Sequence, residues 1–468
     1  MKQKFVDSLR HLARTIPIPL SVKMRLQFTA FRYLPSLFRH MPAYQWWSLQ
    51  HPELAAEELK KQDMNEKRAI ALESGIYQSD RPGILMISHS LGGGTEYHVK
   101  QLADKLKSEG VRVWVLRCLA REWVQLQDYH APDIAGLIYH PAEEFRLLVD
   151  QLKILHIRHL HVHHLVDFNA EFREMILQLC KELAIEFDFT SHDYLPICPR
   201  FTLYDEGVRG YCGEPDVRRC QGCVSRFNSS FGKEVDVAQW RDDYAAFLQN
   251  ARKVMTPDAD VQQRLQRYLP DANIVNRPHW DEKPITPLPV PVQKAGEARR
   301  IMTLGGIAPH KGSHILLHCA QDVKARHLPL DFTLIGYSDI DSVLDRYMKV
   351  TGRYRQEDLP EMLREGAYHM VFLPAVWPET FNYTLSEILH YGLYPVCFDI
   401  GAIARRIREI GYGTILPYRD YRDAKAINEA LLKIEIPQQV PVEKLQAAQI
   451  RYGSFIDEYY ALKDKFSA

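Results

Sequence analysis

Two glutamates eight residues apart, Glu379 and Glu387, flank a loop-to-helix junction in the segment Pro374-Ala375-Val376-Trp377-Pro378-Glu379-Thr380-Phe381-Asn382-Tyr383-Thr384-Leu385-Ser386-Glu387. Apolar Leu385, Ile388 and Leu389 beside Glu387 predict a partly enclosed carboxylate, which needs hydrogen-bonding partners once removed from water. Ribose hydroxyls can donate two hydrogen bonds to such a group, and Glu379 can reach the hydroxyls of a sugar. The helix start between them offers N–H groups and a positive dipole end to a diphosphate. An isolated pair at this spacing reads better as Glu379 capping the helix and Glu387 pairing with a surface cation. Upstream, Gly305-Gly306-Ile307-Ala308-Pro309-His310-Lys311-Gly312 carries a strand into a short loop, where Lys311 is either a point charge for a diphosphate or an ordinary solvated lysine. In Leu91-Gly92-Gly93-Gly94-Thr95-Glu96 a strand again opens a helix, and Gly93 and Gly94 allow an anion or sugar to approach. This loop has neither the dinucleotide-binding nor the Walker spacing, and a tight packing turn accounts for it equally.

Four of the eight cysteines crowd into one segment as Cys198-x13-Cys212-x7-Cys220-x2-Cys223. Four thiolates suit tetrahedral zinc, while an iron–sulfur cluster and unliganded thiols are the other readings of the same spacing.

These residues need elements to hold them. From Gly83 the pattern alternates strand and helix: Ile84–Ser88, Thr95–Glu109, Val111–Arg117, then a strand around His159–His164, a helix from Asn169 to Leu183 and a strand Ala184–Thr190. That predicts an α/β domain over residues 81–278 with a parallel sheet and a cysteine-rich insert at 198–223. Prolines 278, 284, 287, 289 and 291 mark residues 279–300 as an extended linker. A second α/β domain over 301–440 has strands at Ile301–Leu304, Asp331–Ile335, His369–Leu373 and Tyr394–Phe398, with helices Ser313–Arg326, Asp341–Lys349, Asp358–Glu365 and Phe381–His390 between them. A terminal helix, Glu443–Lys465, closes residues 441–468. The whole predicts two Rossmann-like, doubly wound domains facing across a cleft, with ligands at the carboxyl ends of the strands.

Composition bounds the function. The 468 residues carry 59 Lys plus Arg and 59 Asp plus Glu, so no whole-chain field favours nucleic acid. With 46% hydrophobic and 25% charged residues the chain is an ordinary globular protein, neither disordered nor a disulfide miniprotein. The absence of a long uncharged apolar run and of a signal-peptide pattern places it in the cytoplasm. Residues 1–80 read as a helical extension whose first fifty residues set Lys2, Lys4, Arg10, Arg14, Lys23, Arg25, Arg32 and Arg39 against the single acid Asp7. Apolar residues at helical spacing make residues 1–45 amphipathic, suited either to an anionic membrane surface at the inner face of the plasma membrane or to packing on the protein.

The chain from about Gly83 onward resembles the GT-B retaining glycosyltransferases of family 4. The matching pieces, in order, are Gly93-Gly94-Thr95-Glu96, Gly110-Val111-Arg112-Val113, Lys311-Gly312, Pro378-Glu379-Thr380-Phe381, Glu387 and Gly392-Leu393-Tyr394-Pro395-Val396. The resemblance implies that Glu387 binds the nucleotide ribose, that Glu379 contacts the donor sugar, and that the amides of Phe381, Asn382 and Tyr383 hold the diphosphate together with Lys311. It departs from the family at Gly306, where an arginine is usual, and at Asn382, where glycine is frequent. Ser191-His192-Asp193 looks like the family's His-Asp motif and puts His192 at the donor sugar, whereas His161, His163 and His164 are structural or acceptor-facing. Four-cysteine inserts after that motif resemble those of polysaccharide and O-antigen enzymes, with structural zinc. The implied activity is retaining transfer from a nucleotide-sugar donor to a glycan or lipid-linked glycan acceptor on the way to the cell surface. No Asp-x-Asp is placed to hold a metal on the diphosphate, so no catalytic metal is expected. A nucleotide-sugar epimerase and a catalytically silent sugar-nucleotide-binding subunit would keep the same fold.

Overall fold

A computed structural model describes residues 68, 72, 75–119, 123–294 and 296–466. The basic amphipathic segment 1–45 lies outside the described residues. The chain forms two compact units, residues 1–188 with 455–468, and residues 189–454.

In the first unit, β1 (Gly83–Ile87) is buried at every position, as befits a parallel strand covered on both faces. It pairs in parallel with β2 (Arg112–Cys118) on one side and with β5 (Ile157–Val162) on the other. The crossover helix Gly93–Ser108 buries Val99, Leu102, Ala103 and Leu106, one stripe at helical spacing. This is the βαβ unit expected from the sequence. Beyond β2 the structure adds two antiparallel strands that the sequence did not disclose, β3 (Val124–Asp128) and β4 (Leu137–Tyr139). The helix Phe172–Leu183 ends at Ala184 in a left-handed turn, and β6 (Phe187–Thr190) carries the chain from the first unit to the second.

The expected terminal helix over 443–465 is corrected. The structure breaks it into Val442–Ala447, Phe455–Tyr460 and Lys463–Phe466. The N–H groups of Phe455 and Ile456 donate to the Glu109 carboxylate rather than to a preceding helical turn. Residues 455–466 thereby pack in the first unit, with Tyr460 Oη 2.6 Å from His161 Nδ1. That buried contact, with the His161 and His163 rings 3.9 Å apart, makes both histidines packing elements of this unit.

The second unit is built on a six-stranded, all-parallel sheet in the order β13-β12-β11-β14-β15-β16. The strands are β11 (Arg299–Ile307), β12 (Leu330–Ser338), β13 (Lys349–Val350), β14 (Met370–Leu373), β15 (Pro395–Phe398) and β16 (Thr414–Leu416). From β11 the chain winds outward to β12 and β13, then returns to the other side of β11 for β14, β15 and β16. The order therefore reverses between β11 and β14, and their carboxyl ends form the crevice where doubly wound sheets bind ligands. The helix expected over Asp341–Lys349 stops at Leu344, because Lys349 and Val350 pair with β12 instead.

Residues 189–276 also belong to this unit, including the hairpin β7 (Tyr204–Asp205) with β8 (Gly210–Tyr211) and the parallel pair β9 (Lys253–Thr256) with β10 (Ile274–Asn276). Side chains bind these residues to the later helices: Asp258, fully buried, takes Arg405 Nε at 2.7 and 2.8 Å, and Tyr194 Oη donates to the Pro378 carbonyl at 2.8 Å. The proline-rich stretch is not detached either, since Thr286 and Leu288 N–H groups donate to the carbonyls of His390 and Tyr391.

Candidate active site

The crevice between the carboxyl ends of β11 and β14 is a pocket lined by Gly306, Ile307, Lys311, Pro374, Glu379 and Asn382. It brings together Lys311, Glu379 and Asn382, which the sequence proposed from separate motifs. Lys311 ends a short 3-10 turn, Pro309–Lys311, and Gly312 after it has φ 87°. A Cβ on Gly312 would stand 2.1 Å from the Pro374 carbonyl oxygen, so only glycine lets this turn close onto the end of β14. Val376 N–H donates to the His310 carbonyl at 3.0 Å and completes the docking. On the other wall, Gly306 leaves room that Tyr337 fills, its ring 3.1 Å from the position of an added Cβ.

Glu379 is buried, and Asn382 governs it. Asn382 Nδ2 donates to Glu379 Oε2 at 2.6 Å, while Asn382 Oδ1 accepts the Leu385 N–H at 2.6 Å and caps the helix Tyr383–His390. Asn382 itself has φ 71°. The left-handed backbone that glycine would supply is thus present, taken by one of the few L-residues that tolerates it. The cap is Asn382, which leaves the Glu379 carboxylate to the pocket.

Glu387 lies half-buried on the same helix and is joined by Lys283 Nζ at 2.5 Å. His192 follows β6, and its carbonyl accepts Thr380 Oγ1 at 2.6 Å, so the backbone of His192 is fastened beside Glu379. The His192 ring is 5.4 Å from the ring of His279, which stacks at 5.7 Å and 5° on Tyr383 and meets Phe381 edge-on at 4.9 Å.

His279 and three further residues escaped sequence reasoning. Every second residue of the stretch after Pro278 reaches the helix Tyr383–His390 or its entry: His279 packs on Phe381 and Tyr383, Asp281 faces Ser386 and Arg406, and Lys283 pairs with Glu387. Arg406, on the helix Gly401–Ile410, donates to the carbonyls of Phe381 at 3.0 Å and Asn382 at 3.1 Å and to Ser386 Oγ at 2.8 Å. Desolvation lowers the Arg406 guanidinium to about 10, with Asp281 opposing that fall. Three of the four lie in a proline-rich stretch and Arg406 on a separate helix, and nothing in that stretch pointed to partners a hundred residues away.

Residues 298–434 match the family model described as glycosyl transferases, group 1. This part of the chain is a group 1 glycosyltransferase domain. No curated protein sequence matches the chain. Among solved structures it is similar to sucrose-phosphate synthase from Thermosynechococcus elongatus, with 15% identity and a TM-score of 0.53 over 82% of this chain and 97% of that one. It is also similar to a glycosyltransferase from Rickettsia africae, with 13% identity and a TM-score of 0.51 over 83% and 100%. A third is the pneumococcal O-GlcNAc transferase in complex with UDP and GlcNAc, at 11% identity, TM-score 0.50, and 83% and 97% coverage. These likenesses are of fold, the GT-B fold of two Rossmann-like α/β domains.

The glycosyltransferase domain contains Lys311, Glu379, Phe381, Asn382, Tyr383 and Glu387, and His192 and the cysteines precede it. Gly93 and Gly94 lie in the first unit, where Gly93, at φ 79°, begins the helix after β1. Of the two Asp-x-Asp sequences in the second unit, Asp258 and Asp260 are engaged by Arg405 and Arg264, and Asp341 accepts the N–H and Oγ of Ser338.

Cys198, Cys212, Cys220 and Cys223 line one pocket with Arg200, Arg241 and Tyr268. Cys220 and Cys223 share a face of the helix Val217–Phe227, Cys212 follows β8, and Cys198 lies in the turn after Tyr194. Burial pushes the Cys198 thiol up to about 12 and Cys212 up to about 11. No three of the sulfurs lie mutually within 4.8 Å. Four thiols lining one pocket are a donor set that would fit a structural zinc.

Proposed function

We propose that the protein transfers a sugar, with retention at the anomeric carbon, from a nucleotide-sugar donor to a glycan or lipid-linked glycan bound for the cell surface. The observation that carries this reading is the pocket at the strand-order reversal of the group 1 domain, which gathers a lysine, a buried carboxylate and the start of a helix. Lys311, the amides at Phe381–Tyr383 and the helix dipole meet the charge of the diphosphate leaving group. Glu387 takes the ribose hydroxyls, with Lys283 yielding part of that carboxylate. Glu379, which lines the pocket, and His192 hold the sugar.

In the reaction the bond from C1 to the phosphate oxygen breaks and the acceptor oxygen attaches from the same face. The acceptor proton passes to the departing phosphate. No divalent metal is required on the diphosphate, a reading supported by the engagement of the nearby Asp-x-Asp carboxylates in caps and ion pairs. The complex of the pneumococcal transferase with UDP and GlcNAc makes UDP-sugars the first donors to try.

A panel of mass-tagged nucleotide sugars, offered with lipid-linked glycan acceptors, tests the activity, and NMR of the product assigns the linkage. An inverted linkage, or an absolute requirement for magnesium or manganese, overturns the mechanism. Conversion of free donor without acceptor identifies an epimerase instead. Glu387→Ala is expected mainly to raise the donor KM, and Glu379→Ala and His192→Ala mainly to lower kcat.

A further inference from the structure

Arg406 approaches the donor loop from behind. It contributes nothing to the pocket of Lys311 and Glu379, yet its guanidinium holds both carbonyls at the loop's turn and lies 4.3 Å from the centre of the Phe381 ring. A trans peptide unit points its carbonyl and its N–H in opposite directions, and the chain has no cis peptide bond among the described residues. Fixing the carbonyl of Phe381 on Arg406 therefore turns the N–H of Asn382 away from Arg406. Fixing the carbonyl of Asn382 does the same for the N–H of Tyr383. Those two amides are the ones that the proposed function assigns to the donor diphosphate.

Arg406 is itself held. Ser386 Oγ accepts from its Nη2 at 2.8 Å and is hydrogen-bonded to the Asp281 carboxylate, whose charge also faces the guanidinium. The Asp281 N–H donates to the Ile450 carbonyl at 2.9 Å, which fixes the stretch that carries it. Neither Arg406 nor Asp281 belongs to the sequence motifs of the site.

We infer that Arg406, anchored by Asp281 through Ser386, is a positioning residue that aims the Asn382 and Tyr383 amides at the diphosphate of the donor. The inference rests on the donor-binding reading above and adds a grip from the opposite face of the loop. It predicts a selective loss: the diphosphate is held less well, while the nucleoside, held by Glu387 and its surroundings, is not.

The test compares full-length wild type, Arg406→Ala, Arg406→Lys and Asp281→Asn by titration calorimetry with UDP, GDP and ADP and with the matching nucleosides and monophosphates. For the preferred base, Arg406→Ala should weaken the nucleoside diphosphate at least tenfold and the nucleoside less than twofold. Arg406→Lys, a single point donor in place of a planar fork, should fall between. Asp281→Asn should move in the same direction by a smaller factor, with the fold kept. Guanidinium at low millimolar concentration should restore diphosphate binding to Arg406→Ala. Equal losses for nucleoside and diphosphate, or no rescue in a folded variant, overturn the positioning role. If wild type binds no nucleoside diphosphate at all, the donor-binding reading itself is what fails.

Discussion

Asn382 does three things at one position, and substitutions separate them. Its side chain caps the helix Tyr383–His390, its backbone sits at φ 71°, and its amide holds the buried Glu379 carboxylate. Replacing an Asn cap by Ala costs about 1 kcal/mol, whereas Gly at the same place costs a few tenths. A non-Gly residue without Asn's tolerance adds about 1 kcal/mol in the left-handed region, and Gly adds nothing there. Both variants lose the hydrogen bond to a charged group, worth about 1.5–3 kcal/mol. Gly gives back about 0.5–1 kcal/mol through the greater freedom of the unfolded chain. Asn382→Ala should therefore be about 1 kcal/mol less stable than Asn382→Gly, although both lose the same Glu379 contact. Urea denaturation with unchanged slopes reads the first quantity, and kcat with the preferred donor reads the second. Expected are two different midpoints and one shared loss of turnover. Equal midpoints would refute the assignment of cap and backbone strain, and wild-type turnover in Asn382→Gly would refute the hold on Glu379.

Burial, with Lys311 beside it, pushes the His310 imidazole down to about 3, so it stays neutral in the fold while the unfolded chain protonates it near 6.5. Stability from this group is complete above that ordinary value and is lost as pH falls toward 3, and His310→Gln should flatten the dependence in a series of urea melts. Elemental analysis of purified protein should find about one zinc per chain, absent from a Cys220→Ser, Cys223→Ser variant; metal-free protein as stable and active as untreated protein would refute it. Vesicles containing anionic lipid should retain full-length protein at low salt and release it at high salt, each basic residue near the surface contributing about 1 kcal/mol. Removal of residues 1–45 should abolish that retention, and equal binding by the truncated chain would make the segment a packing element.

Much of this architecture was readable because its signals are local. The strands of the second unit announce themselves as short apolar runs such as Met370–Leu373 and Pro395–Phe398, and Lys311-Gly312 and Glu379 to Glu387 lie at the ends of elements whose order fixes where they meet. What stayed hidden depends on chain segments that meet only in space. Lys283 meets Glu387 across 104 residues, and its surroundings, rich in proline and poor in periodicity, read only as an extended linker. Arg406 sits on an amphipathic helix beside Arg405, and no sequence signal says that one arginine serves Asp258 and the next the carbonyls of Phe381 and Asn382. β3 and β4 were missed because they are only five and three residues long, and β4, buried at every position, has no alternation to detect. The terminal helix was overestimated for the opposite reason: its apolar spacing is helical, but Glu109 claims the N–H groups at Phe455 and Ile456.

The stretch after Pro278 touches the helix Tyr383–His390 through residues 279, 281 and 283, and that makes its length a matter of register. Insertion of a single residue after His279 would present Trp280 to Ser386 and Arg406 and Glu282 to Glu387, setting an indole against a guanidinium and one carboxylate against another. Insertion of two residues at the same point would bring Asp281 to Glu387, again one carboxylate against another. The residue count of this stretch is therefore held by three contacts, and Trp280 between two of them is itself buried. A segment that looks like mere spacing between folded parts is in this sense a toothed edge, and the group 1 domain engages it tooth by tooth.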